Sequence, residues 1–500
     1  MSLKIFNTLS GTKEGFSPLK QGRVGMYVCG VTVYDLCHVG HARSAVVFDV
    51  VYRYLRYSGY EVTYVRNFTD IDDKIIRRAN EEGVSAQQIA ERYIAAFYED
   101  MDALGVLRPT REPRATEHVE DMIAHVQRLI DKGHAYEVEG DVYFGVASYP
   151  PYGKLSRRPL EEMVAGARVE VDARKKSALD FALWKASKPG EPSWPSPWGP
   201  GRPGWHIECT VMGQKYLGPT LDIHGGGRDL VFPHHENEVA QAEAATGEPF
   251  VRCWMHNGFV NINQEKMSKS LGNFFTIREV LKQVHPEMLR FFLLSHHYRS
   301  PVDYSDVSVQ EAAAGLDRLY GLLARIDEAL GGREAPAQVP VGDLANGARA
   351  AHEAVLALLF QFEEAMNDDF NTAEALGYLH KCARQVGAFL HQGFDPSPRN
   401  LAVLRYAAES IRRVGGVLGL LQEPPASYFG ALRQGAAAAK GLDPAAVEAK
   451  IAERNQARKE KDWKRADAVR DELAAWGVVL EDGPGGTTWK VKGGGGKGEG

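Results

Sequence analysis

The apolar positions of the chain change period along its length, and each change predicts an element. A short apolar run at Met26 to Val28 reads as a strand, and His38-Val39-Gly40-His41 then opens a long helical pattern. Ala45-Val46-Val47-Phe48, Val50-Val51 and Tyr54-Leu55 are too apolar for an exposed helix and predict one packed on a sheet, with Gly59 as a C-cap. Glu61 to Phe68 alternates, which predicts a second strand. Strand, helix, strand opens an α/β fold with a doubly wound, Rossmann-type sheet.

Residues near 110 to 200 look inserted into that sheet, with a helix over Glu117 to Lys132, a hairpin around Glu139-Gly140 and a Pro/Trp-rich stretch from Lys188 to Gly204. The sheet resumes near Leu221. From about 310 the pattern becomes Ala/Leu-rich helices broken at Gly331-Gly332 and Pro336, which predicts an α-helical bundle. Pro424-Pro425 and Gly435 to Gly441 read as a linker before two further helices and a hairpin at Val478 to Val491. The predicted units are sheet halves at 1–110 and 205–255, an insert at 111–204, a junction at 256–310, the bundle at 311–425, a small α/β domain at 441–492 and a disordered tail at 493–500.

Composition narrows the class. Five hundred residues with 44% hydrophobic and 25% charged content suit a large globular enzyme of several domains. No apolar run approaches the ~20 residues of a membrane span, and Met1-Ser-Leu-Lys-Ile-Phe6 has no secretory core. Five cysteines (29, 37, 209, 253 and 382) are few, odd in number and without framework spacing, so a reducing cytoplasm without disulfides is expected. A net charge of −6 argues against non-specific coating of nucleic acid but leaves room for a local basic face.

Two short motifs carry the chemistry, His38-Val39-Gly40-His41 and Lys266-Met267-Ser268-Lys269-Ser270. His38 and His41 are three residues apart, so both imidazoles project from one side of a first helical turn. Gly40 between them lets a flat ring or a phosphate approach the backbone. The helix N-terminus offers N–H donors and partial positive charge to a polyphosphate. Lys266 and Lys269 add ammonium groups that can neutralise charge developing on a transferring phosphoryl centre. Either motif alone could be an ordinary polar segment; together they predict a nucleotide site closed from two sides.

The pair resembles the HIGH and KMSKS signatures of class I aminoacyl-tRNA synthetases, with Val39 in place of Ile. Tyr27-Val-Cys-Gly-Val-Thr-Val-Tyr-Asp35, Asn67-Phe-Thr-Asp-Ile-Asp-Asp-Lys74, Gly204-Trp-His-Ile-Glu-Cys209 and Phe232-Pro-His-His-Glu-Asn-Glu238 resemble the cysteinyl-tRNA synthetase family, and the likeness runs from about residue 3 to 490. It implies a Rossmann-type catalytic domain with an insert that contacts the tRNA acceptor end, then a helical bundle and an anticodon-binding domain. It also implies a monomer that activates L-cysteine with ATP and Mg²⁺ and transfers it to tRNA(Cys). His38, Gly40, His41, Lys266, Ser268 and Lys269 would bind ATP, with His38, His41, Lys266 and Lys269 catalytic. Thr69, Trp205 and Asp229 match positions near the amino-acid pocket, and for Trp205 plain packing is an equal reading. His224-Gly-Gly-Gly227 could let the nucleotide approach or be a tight turn.

By the same resemblance, Cys29, Cys209, His234 and Glu238 hold one Zn²⁺. Spacing alone is a weak signal, because two buried cysteines and a surface His/Glu pair would look the same. His234 and Glu238 are i,i+4 with Pro233 suited to a first helical position, and His224, His235 and Glu236 are rival ligands. The metal's task would be to choose cysteine over serine, an isostere that pocket size distinguishes poorly. A bound Zn²⁺ favours a thiolate strongly over a hydroxyl, and a 10⁴-fold preference needs only about 5.5 kcal/mol, so no editing site is required.

In the last domain, Arg458, Trp463, Asp467 and Asp482 match positions that read anticodon bases in the family. Eight basic and six acidic residues between Lys450 and Glu472 make that helical segment only mildly basic, so charge alone fits a solvated face. Core packing is the competing reading of Trp463. A ligase joining cysteine to an amino sugar would share the catalytic half but not this domain. A non-catalytic tRNA-binding relative would not need intact motifs.

Overall fold

In a computed structural model of the chain, the described residues are 2–158, 174–262, 265–266, 274–339, 342, 344–391, 394–483 and 486–491. The chain opens with a hairpin, β1 (Lys4–Asn7) and β2 (Thr12–Gly15). Next come β3 (Arg23–Val28), α1 (Val39–Tyr57) and β4 (Glu61–Arg66), as the alternation predicts. Two helices follow, α2 (Asp73–Glu82) and α3 (Ala86–Ala103), capped at Asp72 and Ser85 by side chains that accept backbone N–H groups.

α4 (Val119–Asp131) begins two residues after the predicted helix start, because residues Ala115–His118 form a 3₁₀ turn. An antiparallel sheet follows, ordered β5 (Ala135–Val138), β6 (Asp141–Phe144), β7 (Phe181–Ala186), β8 (Gly201–Pro203). The hairpin around Glu139-Gly140 is there, with both turn residues at positive φ (53° and 85°).

The helix Ile207–Leu217 leads into β9 (Leu221–Gly227), and the helix Glu236–Thr246 leads into β10 (Val251–Asn257). The main sheet is parallel throughout and ordered β10-β9-β3-β4. β3 feeds a crossover toward β4, whereas β9 feeds one toward β10. The strands that part company are therefore neighbours, Met26 opposite Ile223 and Val28 opposite Gly225. A crevice opens at such a switch point, beyond the carboxyl ends of the strands. Cys29 lies at that end of β3, and Gly225 O accepts its backbone N–H.

α1 is apolar nearly all round because it is covered on two sides. Val39, Ala42, Val46, Phe48, Val50 and Leu55 are at most 1% exposed, with the sheet on one face and the helices Pro286–Leu294 and Pro398–Leu418 on the other. Two buried arginines fasten these layers. Arg290 pairs with Asp49 of α1 and donates to Leu418 O (2.8 Å), while Arg43 of α1 donates to the carbonyls of Leu293 and His297.

A small sheet ordered β12 (Glu265–Lys266), β11 (Val260–Ile262), β13 (Val302–Tyr304) joins the catalytic half to the bundle. The bundle comprises the helices Asp306–Leu330, Asn346–Asn367, Thr372–His391 and Pro398–Leu418, and Gly331 ends the first in the left-handed region (φ 48°). The expected linker is instead a helix, Pro425–Ala439. Proline suits its first turn, the alanines are strong helix formers, and Tyr428 is fully buried, stacked on Tyr320 at 3.9 Å. The last unit has the helices Pro444–Lys459 and Trp463–Ala475 and a hairpin, β14 (Val478–Gly483) with β15 (Gly486–Val491). The expected tail at 493–500 lies outside the described residues. Among the described residues no helix is long and apolar enough to cross a membrane.

Candidate metal centre and nucleotide site

His38 is the N-cap of α1, with extended backbone (φ −105°, ψ 171°). Its Nδ1 accepts from Gly40 N (3.1 Å), and its own N–H donates to His41 Nδ1 (3.1 Å), so the two rings lie 3.9 Å apart, tilted by 32°, in a reciprocal cap. Each neutral imidazole, accepting at Nδ1, then carries its proton on Nε2. A Cβ at position 40 would sit 2.8 Å from His38 Cε1. Glycine is thus required here by the cap itself, and not only by an approaching ligand.

The second motif reaches the first through its flank. Lys266 ends β12, opposite Asn261, while Ser268 and Lys269 lie outside the described residues. Just beyond, Thr276 bridges His38, Val39 N donates to Phe275 O (3.2 Å) and Ile277 N donates to Cys37 O (2.9 Å). The chain leaving the lysine-rich motif is stitched along the backbone of the histidine motif.

Cys29, Cys209, His234 and Glu238 converge at the switch point. Sγ of Cys29 lies 3.3 Å from Sγ of Cys209, 3.5 Å from His234 Nε2 and 3.4 Å from Glu238 Oε1. The ligand atoms of all four fall within 4.8 Å of one another, as do those of an overlapping set, Cys29, His224, His235 and Glu238. Two soft sulfurs, an imidazole and a carboxylate suit a tetrahedral Zn²⁺. His224 Nε2 holds Glu238 Oε2 (2.8 Å), leaving Oε1 toward the sulfurs and His234 Nε2 (3.0 Å). Glu238 stands three residues inside its helix, and Pro233 is not the first helical residue: a wider turn, Val231–His235, precedes the helix and carries His234.

The electrostatics fit a site built for a cation. Burial and the neighbouring Cys209 and Glu238 push the Cys29 thiol well up. Burial also opposes ionisation of Cys209, yet hydrogen bonding from Cys29 and His234 brings its thiol down to about 6. Burial disfavours a charged His234, but Glu238 and Cys209 hold its imidazole up at about 10. Around them lies a bed of neutral histidines: burial lowers His206 and His235 well below the usual range and His256 to about 3. These rings form chains, His206 Nδ1 to His234 Nδ1 (2.9 Å), and His235 through His256 to Thr8 Oγ1 (2.8 and 2.7 Å). Such partners fix ligand orientation. Sequence reading did not single out His206 and His256, because nothing local distinguishes a histidine that props another one.

Trp205 is 39% exposed and stacks on His234 at 4.3 Å, so its packing is against a candidate ligand. The Thr69 hydroxyl donates to Glu208 Oε2 (2.7 Å), and Asn67 Oδ1 accepts from Gly30 N (2.9 Å) and lies 3.6 Å from Cys209 Sγ. Burial pushes the Glu208 carboxyl well above the usual range. Asp229 lies in the turn after β9, and a Cβ on Gly227 would meet its Oδ1 at 2.5 Å. The glycines before it serve close packing: a Cβ on Gly225 would collide with the Phe48 ring, and one on Gly226 would lie 2.9 Å from His235 Cε1.

In the last unit, Trp463 is 60% exposed, so it is not a core residue; Trp489 fills the core instead, its Nε1 on Glu448 (2.7 Å). Asp467 lies one turn after Trp463 on the same helical face. Asp482 is gripped by Arg454 (2.9 and 2.8 Å), Thr487 (2.7 Å) and Arg458 (2.9 Å), which hold its carboxyl well below the usual range.

Comparison with known proteins follows this geometry. Residues 15–314 match the family model for the class I (C) tRNA synthetase catalytic domain, 361–422 the DALR domain and 442–489 the cysteinyl-tRNA ligase anticodon binding domain. The cysteine–tRNA ligase of Pelobacter propionicus is 58% identical over 493 residues, covering 98% of this chain and 100% of that one. The one from Geobacter sulfurreducens is 59% identical over 492 residues with the same coverage. Among solved structures, Mycobacterium tuberculosis methionyl-tRNA synthetase in complex with methionyl-adenylate aligns with a TM-score of 0.60 at 18% identity, covering 85% of this chain and 95% of that one, which speaks to the fold alone.

Proposed function

The chain belongs to the cysteinyl-tRNA synthetase family of class I aminoacyl-tRNA synthetases, and from that membership we propose which of its residues carry the reaction. It is a cysteine–tRNA ligase, which activates cysteine with ATP and passes the cysteinyl group to tRNA. The observation that carries the reading is the meeting of two sulfurs, His234 and Glu238 at the switch point of the sheet.

Cys29, Cys209, His234 and Glu238 would hold Zn²⁺, and His224 and His206 orient Glu238 and His234 for that task. When bound, the ion would favour a thiolate over the hydroxyl of serine. This set is preferred to the overlapping one because it offers two sulfurs and leaves His224 and His235 in their own hydrogen bonds. A cysteine held by its sulfur there would turn its carboxylate toward the N-terminus of α1, where ATP and its Mg²⁺ would bind. His38 and His41 present Nε2–H donors and the helix start adds backbone donors, so charge on the phosphates is met by groups already in position. Lys266 and Lys269 would approach from the other side, their segment tied to His38 by the Phe275–Ile277 backbone. Chemistry of this kind needs positioning and charge stabilisation more than covalent participation.

In the last unit, Arg458, Trp463 and Asp467 would read anticodon bases, Trp463 by stacking and the others by hydrogen bonds to base edges. Asp482 would hold Arg458 in place.

The test is pyrophosphate exchange and tRNA charging on zinc-loaded protein, with cysteine and serine in parallel. Exchange should depend on cysteine and be negligible with serine. Equal exchange with the two amino acids would end the thiolate reading, and exchange without tRNA charging would end the ligase reading.

A further inference from the structure

The two sulfurs at the switch point face each other as well as His234 and Glu238. Cys29 follows β3, Cys209 lies on the helix that leads into β9, and their Sγ atoms are 3.3 Å apart. A disulfide spans about 2.05 Å, so the sulfurs need to close by roughly 1.3 Å to bond. The two differ in access. Cys29 is partly exposed, whereas Cys209 is 2% exposed. Cys37, Cys253 and Cys382 are buried too, at most 7% exposed, and all five cysteines are unbridged. Peroxides oxidise an accessible thiolate selectively, and a second sulfur beside it resolves the product to a disulfide. Sulfurs that hold a metal are thiolates already.

We propose that Cys29 and Cys209 are an oxidation site, a pair that a peroxide converts to a disulfide with release of the bound zinc. In the first step the Cys29 thiolate attacks hydrogen peroxide; an S–O bond forms, the O–O bond breaks, and hydroxide leaves a sulfenic acid. In the second, the Cys209 thiolate attacks the Cys29 sulfur; the S–S bond forms, the S–O bond breaks, and a second hydroxide leaves. Two electrons pass from the sulfurs to the peroxide. His234 and Glu238 then remain as two ligands where a zinc site of this kind needs four. His224 and His235 are engaged with Glu238 and His256 and do not replace the sulfurs. A dithiol returns the two electrons and restores the site, and in a reducing compartment the disulfide is transient. The cap at His38 and His41 takes no part, so ATP binding survives while the cysteine site is lost. This inference rests on the zinc reading above.

The test titrates the zinc-loaded full chain with hydrogen peroxide in the presence of a chromogenic zinc chelator, followed by intact mass and peptide mapping without reductant. About one zinc should be released per disulfide formed, the chain should lose the mass of two hydrogens, and the link should map to Cys29 and Cys209. Cys37, Cys253 and Cys382 should stay thiols, and dithiothreitol with added zinc should restore the zinc content. In Cys209→Ser the sulfenic acid on Cys29 has no resolving sulfur, so Cys29 should take a dimedone label that the native chain takes far less; if that variant does not fold, mapping of the native chain decides. Zinc release with oxygen added to the sulfurs and no link, a link to another cysteine, or zinc retained after the link has formed overturns the proposal. A native chain that holds zinc and forms no link overturns the proposal alone. A native chain that holds no zinc before peroxide is added overturns the zinc reading, and the proposed release falls with it.

Discussion

The metal centre and the C-terminal hairpin both gather charged and aromatic side chains, but under opposite conditions. His224, His234, His235 and Glu238 are at most 1% exposed and come from two adjoining segments, packed against Cys29 from the far half of the sheet. Asp482 and Arg458 have side chains 42% and 41% exposed, and Trp463 is 60% exposed over a core of only a few residues. In the first region each polar group sees its neighbours through a low dielectric, so removing one disturbs all. In the second, water screens the same kinds of charge, and a substitution is felt mainly by whatever binds the surface.

The largest expected effects fall on the buried side. Cys209→Ser and His234→Ala should cut cysteine affinity by more than ~10²-fold, since changes to the partners of metal ligands alone reach that scale. ATP binding should change little. Elemental analysis and calorimetry check this, and normal cysteine affinity in either variant would remove the metal centre from the mechanism.

Next in size is Lys269→Ala, expected to slow cysteine-dependent pyrophosphate exchange by about 10²-fold, the scale of one lost charge-stabilising group. The melting temperature should hold. Near-normal exchange would show that the flank at Phe275 to Ile277 meets His38 for structural reasons only.

On the exposed side, Trp463→Ala should reduce tRNA charging by about 10-fold, within the range of one lost base stack, and leave exchange alone. Arg458→Ala should behave alike. If charging and exchange fell together in either variant, the hairpin unit would be a prop for the bundle, and the contrast between the two regions would collapse.

The smallest effect is on stability. His125 is buried, its Nε2 3.2 Å from Gln241 O, and burial lowers its imidazole to about 4. The unfolded chain then binds a proton that the folded chain refuses. Its contribution is fully present above the unfolded value of about 6.5 and is lost as pH falls toward 4, up to about 3 kcal/mol. His125→Gln should flatten the fall in melting temperature between pH 7 and pH 4.5 relative to the native chain. Parallel curves would mean that His125 takes up its proton alike in the folded and unfolded chain. Asp482 runs the same way at lower pH: its carboxyl is held low, so its small, screened contribution is present at neutral pH and goes only in strong acid.

Much of this was legible in the sequence because the causes are local. The cap of α1 needs only His38, Gly40 and His41, and the turn at Glu139-Gly140 needs only two residues that tolerate positive φ. The helix Pro425–Ala439 was hidden for an equally definite reason. Its prolines and glycines signal a break, while its stability comes from Tyr428 stacking on Tyr320, 108 residues earlier in the chain.

The sequence by itself determined most of the strands and helices, where the His38 to His41 cap begins and which residue types are available to hold a metal. Only the tertiary structure decided that β3 and β9 are neighbours, and with that the meeting of Cys29 with Cys209, 180 residues on, and of Thr69 with Glu208, 139 residues on. It also decided which oxygen of Glu238 faces the sulfurs, through His224. The physical reason is range. Periodicity and capping act over a turn or two, whereas the environment of a buried polar group is set by whichever strands the crossovers bring side by side.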